Sequence, residues 1–217
     1  MALATAGADV ALSFRQSAEG AEETAAAVRG LGRRAYTSPA DARKNGEMAG
    51  CVDSAAAALG GLDVLVNNAG VFRPVAVGEI DDEALDEAFD VNVKAAVMAA
   101  QAAAPHMRRR GGGAIVNVAS LGGIRPWKGY LPYCTSKAAL IMATRCLALA
   151  LAPDIRVNAV APGILDPPGA DDEVRARVPL GRFGTYAEAV AATMFLAEGA
   201  SYTTGEVFRV DGGRGLA

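Results

Sequence analysis

Three short runs dominated by apolar side chains constrain the fold most strongly. They occupy residues 62–66, 114–119 and 155–161. Near-continuous apolar strands are typical of a parallel sheet that is covered by helices on both faces. Alanine-rich segments of helical length separate these runs. The sequence therefore predicts an α/β protein with a Rossmann-like, doubly wound parallel sheet in three αβα layers.

The rest of the chain fits the same single domain, covering residues 1–217, without a linker or an internal repeat. Further strands are expected at residues 9–14, 34–38 and 206–210, and helices at 18–31, 46–59, 81–109, 138–152 and 186–198. Residues 164–185 are polar and rich in proline and glycine, which predicts a mobile lid over a substrate.

Tyr133 and Lys137 stand four residues apart at the head of the helix predicted at 138–152, so they share one helix face. A nearby cation lowers the pKa of a tyrosine from its ordinary value of about 10. The phenol then becomes a useful proton donor or acceptor near neutral pH. Ser120 directly follows the run at 114–119, at the strand edge where open α/β sheets bind ligands. The alternative interpretation is that a Tyr and a Lys four residues apart occur by chance as a surface pair without a catalytic role.

Composition argues against several classes of function. The net charge of −3 offers no broad basic field for nucleic acid. No uninterrupted apolar run reaches the roughly 18 residues of a membrane span, so no membrane partner is expected. Cys51, Cys134 and Cys146 lack metal-type spacing, which indicates reduced thiols in a cytoplasmic protein. Because His106 is the only histidine, neither a histidine metal site nor a Ser-His-Asp triad is expected.

Several motifs occur in the order and at the spacing of one family. They are Asn67-Asn68-Ala69-Gly70, Asn92, Ser120, Tyr133-x-x-x-Lys137 and Pro162-Gly163. On these motifs, the chain resembles the short-chain dehydrogenase/reductase family over essentially its whole length. The resemblance implies an oxidoreductase that transfers a hydride from a nicotinamide cofactor to a carbonyl or imine carbon.

The resemblance also implies a role for each motif. Tyr133 would protonate the substrate oxygen, Ser120 would hydrogen-bond it, and Lys137 would lower the pKa of Tyr133 and hold the nicotinamide ribose. Asn92 would hold a water that relays protons to the lysine. The implied cofactor-binding residues are Arg15, Asp41, Asn68, Ala69, Gly70, Tyr133, Lys137, Pro162 and Gly163.

Arg15 favours NADP(H) as the cofactor. In dinucleotide folds an acidic residue after the second strand accepts a hydrogen bond from the adenosine ribose. No acid stands at residues 13–17, whereas the guanidinium of Arg15 matches the geometry of a 2′-phosphate. The alternative for Arg15 is a solvated loop residue. Asp41 resembles the family aspartate that binds the adenine amino group, and it is also a candidate helix N-cap.

The family's first strand and its Thr-Gly-x-x-x-Gly-x-Gly turn have no counterpart in this sequence. In the family, that strand lies inside the sheet and the turn cradles the cofactor pyrophosphate at a helix N-terminus. We therefore expect an N-terminally truncated domain whose sheet has a gap between the strands predicted at 9–14 and 62–66. We also expect the chain alone to be poorly soluble and unable to bind NADPH, unless another segment fills the gap.

Two subfamilies fit the sequence around the site. Bacterial 3-oxoacyl-thioester reductases share the Ser-Tyr-Lys-Asn set. Pteridine reductases share Phe72 after the Asn-Asn-Ala segment and the local sequence around Trp127 and Tyr130. They often differ at two positions, with Asp in place of Ser120 and Ser in place of Gly70. Phe72, Trp127 and Tyr130 are thus candidate substrate-binding residues, and the choice between the two substrates stays open.

The partners implied are a small-molecule substrate and further copies of the chain. The small-residue faces at 81–109 and 138–152 resemble those that pair between subunits, which favours a homodimer or homotetramer. The threonine usual after Pro-Gly is absent from residues 164–168, so contacts to the nicotinamide carboxamide would differ. The alternative function is a non-catalytic Rossmann-like binding or assembly subunit, or an inactive fragment.

Overall fold

The computed structural model of the chain describes residues 1–165, 169 and 172–216. The strands, in chain order, are β1 Val10–Phe14, β2 Ala35–Pro39, β3 Val64–Asn67, β4 Gly113–Val118, β5 Ile155–Pro162 and β6 Val207–Val210. The helices are α1 Ala2–Thr5, α2 Ala18–Gly30, α3 Glu47–Leu59, α4 Asp82–Phe89, α5 Ala95–Arg109, α6 Leu131–Leu151, α7 Asp172–Ala176 and α8 Tyr186–Met194. The predicted alternation of strands and helices is confirmed.

All strand pairs are parallel, but the sheet consists of two separately hydrogen-bonded parts. In one part, β1 pairs with β2, with Val10 opposite Ala35. The other part has the order β3-β4-β5-β6. Among the described residues, no strand pairs with β1 on the side away from β2, or with β3 on the side away from β4. The expectation of a Rossmann-like sheet that lacks its first strand is therefore confirmed.

Both faces of the four-stranded part are covered. Along β4, successive side chains point to opposite faces, as in any strand. Ile115 belongs to the apolar core formed with α3, α5 and α6, whereas Val116 belongs to the core formed with α8. Both side chains are at most 1% exposed. The predicted three-layer αβα architecture is therefore confirmed.

Helix α6 is long and apolar enough to cross a membrane by length and composition alone. The sequence predicted no such segment, and within α6 the charged residues are Lys137 and Arg145. The helix nevertheless packs against β5 and buries Leu140 and Thr144 within the fold. Since the core helix of a three-layer fold meets the same criterion, α6 is explained by its place beside the sheet.

The segment predicted as one or two helices at residues 81–109 is a continuous helical path with a widened turn inside it. Asp81 caps α4, accepting a hydrogen bond from the Ala84 amide at 2.8 Å. A π-helical turn, Asp90–Lys94, joins α4 to α5. Such π turns carry one extra residue per turn and occur frequently at functional sites. This turn holds Asn92, which is buried.

The predicted lid at residues 164–185 contains α7 and a β-bridge between Leu165 and Gly184. Residues 166–168, 170, 171 and 217 lie outside the described residues. The expectation about the missing threonine at 164–168 therefore falls mostly outside the described part of the chain.

Candidate active site

Tyr133 lies in the first turn of α6, next to the carboxyl ends of β4 and β5. The helix begins at Leu131, and Pro132 stands in its first turn, where a missing amide hydrogen costs nothing and the fixed φ suits a helix. Because β4 ends at Val118, Ser120 follows directly at the sheet edge. The fold thus brings Ser120, Tyr133 and Lys137 together at one edge, as their spacing predicted.

Ser120 is held in place by the turn that follows it. Its hydroxyl oxygen accepts a hydrogen bond from the Gly122 amide at 3.0 Å, and the residue is only 4% exposed. Its side chain and that of Tyr133 line the same cavity. A Cβ at Gly122 would lie 3.1 Å from Cε1 of the Tyr133 ring. Glycine therefore lets the tyrosine ring approach the serine closely.

The pKa of Tyr133 differs from the expectation. Burial raises it above its ordinary value, the neighbouring Ser120 side chain opposes that rise, and Cys134 adds to it. The expected lowering by Lys137 is thus wrong for the protein without a ligand, because desolvation of the phenolate dominates. The phenol consequently keeps its proton at neutral pH and is poised as a donor.

Lys137 is a buried ammonium with unused hydrogen-bonding capacity. It is 4% exposed, and its Nζ donates to the carbonyl oxygen of Val118 at 2.7 Å. Burial lowers its pKa to about 8. An ammonium has three donors, and this bond uses one of them. A Cβ at Gly70 would lie 3.4 Å from Nζ and 3.2 Å from Oδ1 of Asn92. Gly70 therefore leaves the space beside the lysine clear.

Asn92 fastens the loop after β3 to α6. Its Oδ1 accepts from the Val71 amide at 2.8 Å, and its Nδ2 donates to the Val71 carbonyl at 3.1 Å and to the Ser136 hydroxyl at 2.9 Å. Ser136 in turn donates to the Tyr133 carbonyl at 2.8 Å. Asn92 therefore positions the segment that holds the tyrosine, a role distinct from the predicted water relay.

The predicted cofactor residues lie along the carboxyl edge of the strands. Arg15 follows β1 and is exposed, and Asn68, Ala69 and Gly70 form an exposed loop after β3. Gly163 follows β5, and a Cβ there would meet the Asp211 Cα at 3.0 Å. The preceding residue, Pro162, ends β5.

Asp41 also lies at this edge, where its carboxylate is held by Arg43. Arg43 donates from its backbone amide, Nε and Nη2, the shortest of these bonds being 2.6 Å. These bonds hold the pKa of Asp41 well below its ordinary value. The alternative helix-capping role of Asp41 is wrong, since Gly46 occupies the N-cap of α3.

The candidate substrate residues form an aromatic cluster with Tyr133. Phe72 stacks on Tyr130, with ring centroids 4.7 Å apart and planes 7° from parallel. The edge of Phe72 meets Tyr133 at 4.7 Å, and Trp127 stacks on Tyr133 at 6.0 Å. One face of Phe72 is thus occupied by Tyr130, although the residue stays 57% exposed. The cluster lines a cavity of about 1020 Å³ that also contains Ser120.

Sequence reasoning missed two residues that the fold brings into the site. Arg43 stands two residues after Asp41, a spacing too short and too common to signal an ion pair. Ser136 adjoins Lys137, but its contact with Asn92 spans 44 positions of sequence. The one feature of the sequence that could have indicated a buried polar contact of Ser136 was its small polar side chain on the inward face of an apolar helix.

Known proteins resemble this chain in sequence and in fold. The family model described as enoyl-(acyl carrier protein) reductase matches residues 1–214. The 4-formylbenzenesulfonate dehydrogenase of Comamonas testosteroni is 38% identical over 198 residues, which cover 84% of this chain and 79% of that one. The 3-oxoacyl-(acyl-carrier-protein) reductase of Thermotoga maritima is 40% identical over 163 residues, 71% of this chain and 66% of that one. The crystal structure of acetoin dehydrogenase from Enterobacter cloacae has a TM-score of 0.92 at 34% identity, covering 100% of this chain and 89% of that one.

Proposed function

Because the chain belongs to the short-chain dehydrogenase/reductase family, we propose that it is an NADPH-dependent reductase of carbonyl or imine groups. The observation that carries this proposal is that Ser120 and Tyr133 line the same cavity, with the buried Lys137 one helical turn after the tyrosine. The reactive groups open onto an aromatic cavity large enough for a small molecule.

The residues present at the strand edge fit a nicotinamide cofactor. Lys137 has further N–H donors from which ribose hydroxyls would accept hydrogen bonds, and Gly70 leaves space for the ribose beside the ammonium. The exposed Asn68 and Ala69 would border the adenosine side, while Pro162 and Gly163 would cover the nicotinamide face. When bound, NADPH supplies the hydride.

The protein's own part in the reaction is to orient the substrate and to move one proton. Tyr133 would give its phenolic proton to the carbonyl oxygen as the carbon gains the hydride, and the product is an alcohol. Ser120 would donate a hydrogen bond to the same oxygen. Lys137 would then stabilise the resulting phenolate, because an adjacent cation favours the charged form. General acid catalysis of this kind is worth roughly 10²–10⁴-fold.

NADPH is proposed over NADH on the strength of Arg15. Its guanidinium is exposed, and its charge is the least of the influences that lower the pKa of Asp41, after the hydrogen bonds of Arg43. Arg43 itself is paired with the Asp41 carboxylate at 2.6 Å. A 2′-phosphate would accept charge-assisted hydrogen bonds from the Arg15 guanidinium, whereas the ribose hydroxyl of NADH carries no charge.

The substrate is proposed to be either a 3-oxoacyl-thioester-like or a ring-shaped, pteridine-like compound. The relative from Thermotoga maritima carries the first activity in its name. The aromatic cluster around Tyr133 favours the second, since flat rings gain from stacked and edge contacts. The exposed apolar side chains Met142 and Leu149 on the outer face of α6 support a homo-oligomer.

Turnover of NADPH with a panel of ketones, aldehydes and imines tests this function in a form of the chain that binds the cofactor. Tyr133→Phe should lose about 10²–10⁴-fold in kcat while NADPH affinity stays nearly the same. Tyr202→Phe is the matched control, because Tyr202 is fully exposed. A Tyr133→Phe variant with half the normal turnover would rule out the assignment. Tight cofactor binding without any turnover would instead favour the non-catalytic binding subunit.

A further inference from the structure

The charged side chains that line the cavity beside Tyr133 are all positive among the described residues. Four cationic side chains line it, and no carboxylate does so among the described residues. The cationic residues are Arg125, Lys128, Arg177 and Arg214. Because the whole chain carries a net charge of −3, this concentration of positive charge is a local feature of the cavity.

Three of these cations, Arg125, Lys128 and Arg214, form no salt bridge in the described part of the chain. Arg177 is paired with Glu173 at 2.6 Å. Arg125 donates from Nη1 to the carbonyl oxygen of Arg214 at 2.6 Å, and neither of these two forms a salt bridge within that part. Burial, and then the charges of Arg125 and Arg177, lower the pKa of Arg214. The two guanidinium groups are therefore held close together against their mutual repulsion.

The aromatic cluster sets an upper limit on the distance between Arg214 and the Tyr133 ring. The Arg214 Cζ lies 5.8 Å from the Trp127 ring centroid, and that centroid lies 6.0 Å from the centroid of Tyr133. The guanidinium is thus no farther from the Tyr133 ring than the sum of those two distances. A single substituted ring can bridge such a span.

We propose that the substrate is a flat ring that carries its reducible carbonyl or imine at one end and a carboxylate or sulfonate at the other. The ring would lie along Trp127, and the anionic group would accept hydrogen bonds from Arg125 and Arg214, whose planar forks suit such oxygens. This inference rests on the proposed reductase function, and it narrows the ring-shaped option of its two substrate classes.

Trp127 provides a direct measurement of binding, since it is the only tryptophan of the chain. Titration without cofactor would compare 4-formylbenzoate, the neutral 4-formylbenzamide and the cationic 4-formyl-N,N,N-trimethylanilinium by quenching of the Trp127 fluorescence. The carboxylate should bind roughly tenfold more tightly than the amide, as expected for charge-assisted hydrogen bonds, and the cation most weakly.

The variants Arg214→Gln and Arg125→Gln should each remove most of the preference for the carboxylate over the amide. Arg109→Gln is the matched control, because it makes the same change of net charge at the end of α5, outside the cavity lining. Circular dichroism verifies that each variant is folded.

The same three aldehydes are then assayed for turnover with NADPH in a form of the chain that binds the cofactor. Equal affinities across the series, or a preference that survives both cavity variants, would overturn the inference while leaving the reductase proposal intact. Selective binding of the carboxylate without any reduction would support the anion site and count against the reductase.

Discussion

Burial of the Lys137 ammonium should make the stability of the protein depend on pH in a defined direction. Burial lowers its pKa from 10.5 to about 8. At about 1.4 kcal/mol for each tenfold change of a protonation equilibrium, the charged form costs the folded state roughly 3 kcal/mol. Lys137 is only 4% exposed, so solvent screening removes little of this cost.

The sign follows from proton binding in the two states. Below about pH 8, both the folded and the unfolded chain carry the proton, and the full cost is present. At higher pH, up to the ordinary pKa of lysine, the unfolded chain binds more protons than the folded one. The contribution of Lys137 to the free energy of unfolding therefore rises with pH over this range.

Lys137→Met removes the titrating group and keeps a long apolar stem. The free energy of unfolding of the variant minus that of the wild type should fall by about 2 kcal/mol between pH 7 and pH 9.5. Denaturant unfolding of both proteins across this range measures the difference. The pH trend isolates ionisation from packing, since a packing change or the loss of the bond to Val118 adds only a constant.

Lys94→Met is the control for loss of a positive charge, because Lys94 is an exposed lysine paired with Asp90. Its difference from the wild type should show no comparable fall with rising pH. Parallel stability curves for Lys137→Met and the wild type would refute the reasoning. They would mean that the ammonium is not destabilised by its surroundings.

Three further predictions concern binding and positioning. Arg15→Ala should weaken NADPH binding roughly tenfold and NADH binding hardly at all, measured by nicotinamide fluorescence; equal losses would give Arg15 another role. Asn92→Ala should lower the free energy of unfolding by about 1–3 kcal/mol by leaving the Val71 amide and carbonyl unpaired, and unchanged denaturant stability would contradict the positioning role. If the ring is pteridine-like, a folate analogue should inhibit turnover and Phe72→Ala should relieve that inhibition; no inhibition at high concentration, together with good activity on acyl thioesters, would favour the thioester class.

The order of strands and helices could be predicted because each depends on local sequence. The runs that became β3, β4 and β5 are apolar on both faces of the strand, and only a sheet covered on both sides hides such strands from water. The spacing of Tyr133 and Lys137 likewise fixes one helix face wherever the helix lies. The position of Ser120 after β4 followed from the end of its apolar run.

The charge states and contacts of the site were decided by the tertiary structure. Proximity in sequence indicated that Lys137 would lower the pKa of Tyr133, whereas burial raises it, because desolvation depends on everything that surrounds the phenol. The capping role considered for Asp41 was wrong for a similar reason. The fork of Arg43 engages its carboxylate, and the N-cap of α3 is Gly46, five residues farther on.

The same distinction separates the proposed catalytic residues from the cavity around them. Ser120, Tyr133 and Lys137 could be picked out by a motif, because the proposed chemistry needs fixed residue types at fixed spacing. No such rule joins Arg125 to Arg214, which stand 89 positions apart and meet only because the loop before α6 and the turn after β6 reach the same edge of the sheet. Sequence thus determined the layers and the reacting groups, while long-range packing determined their ionisation and the charge of the space in front of them.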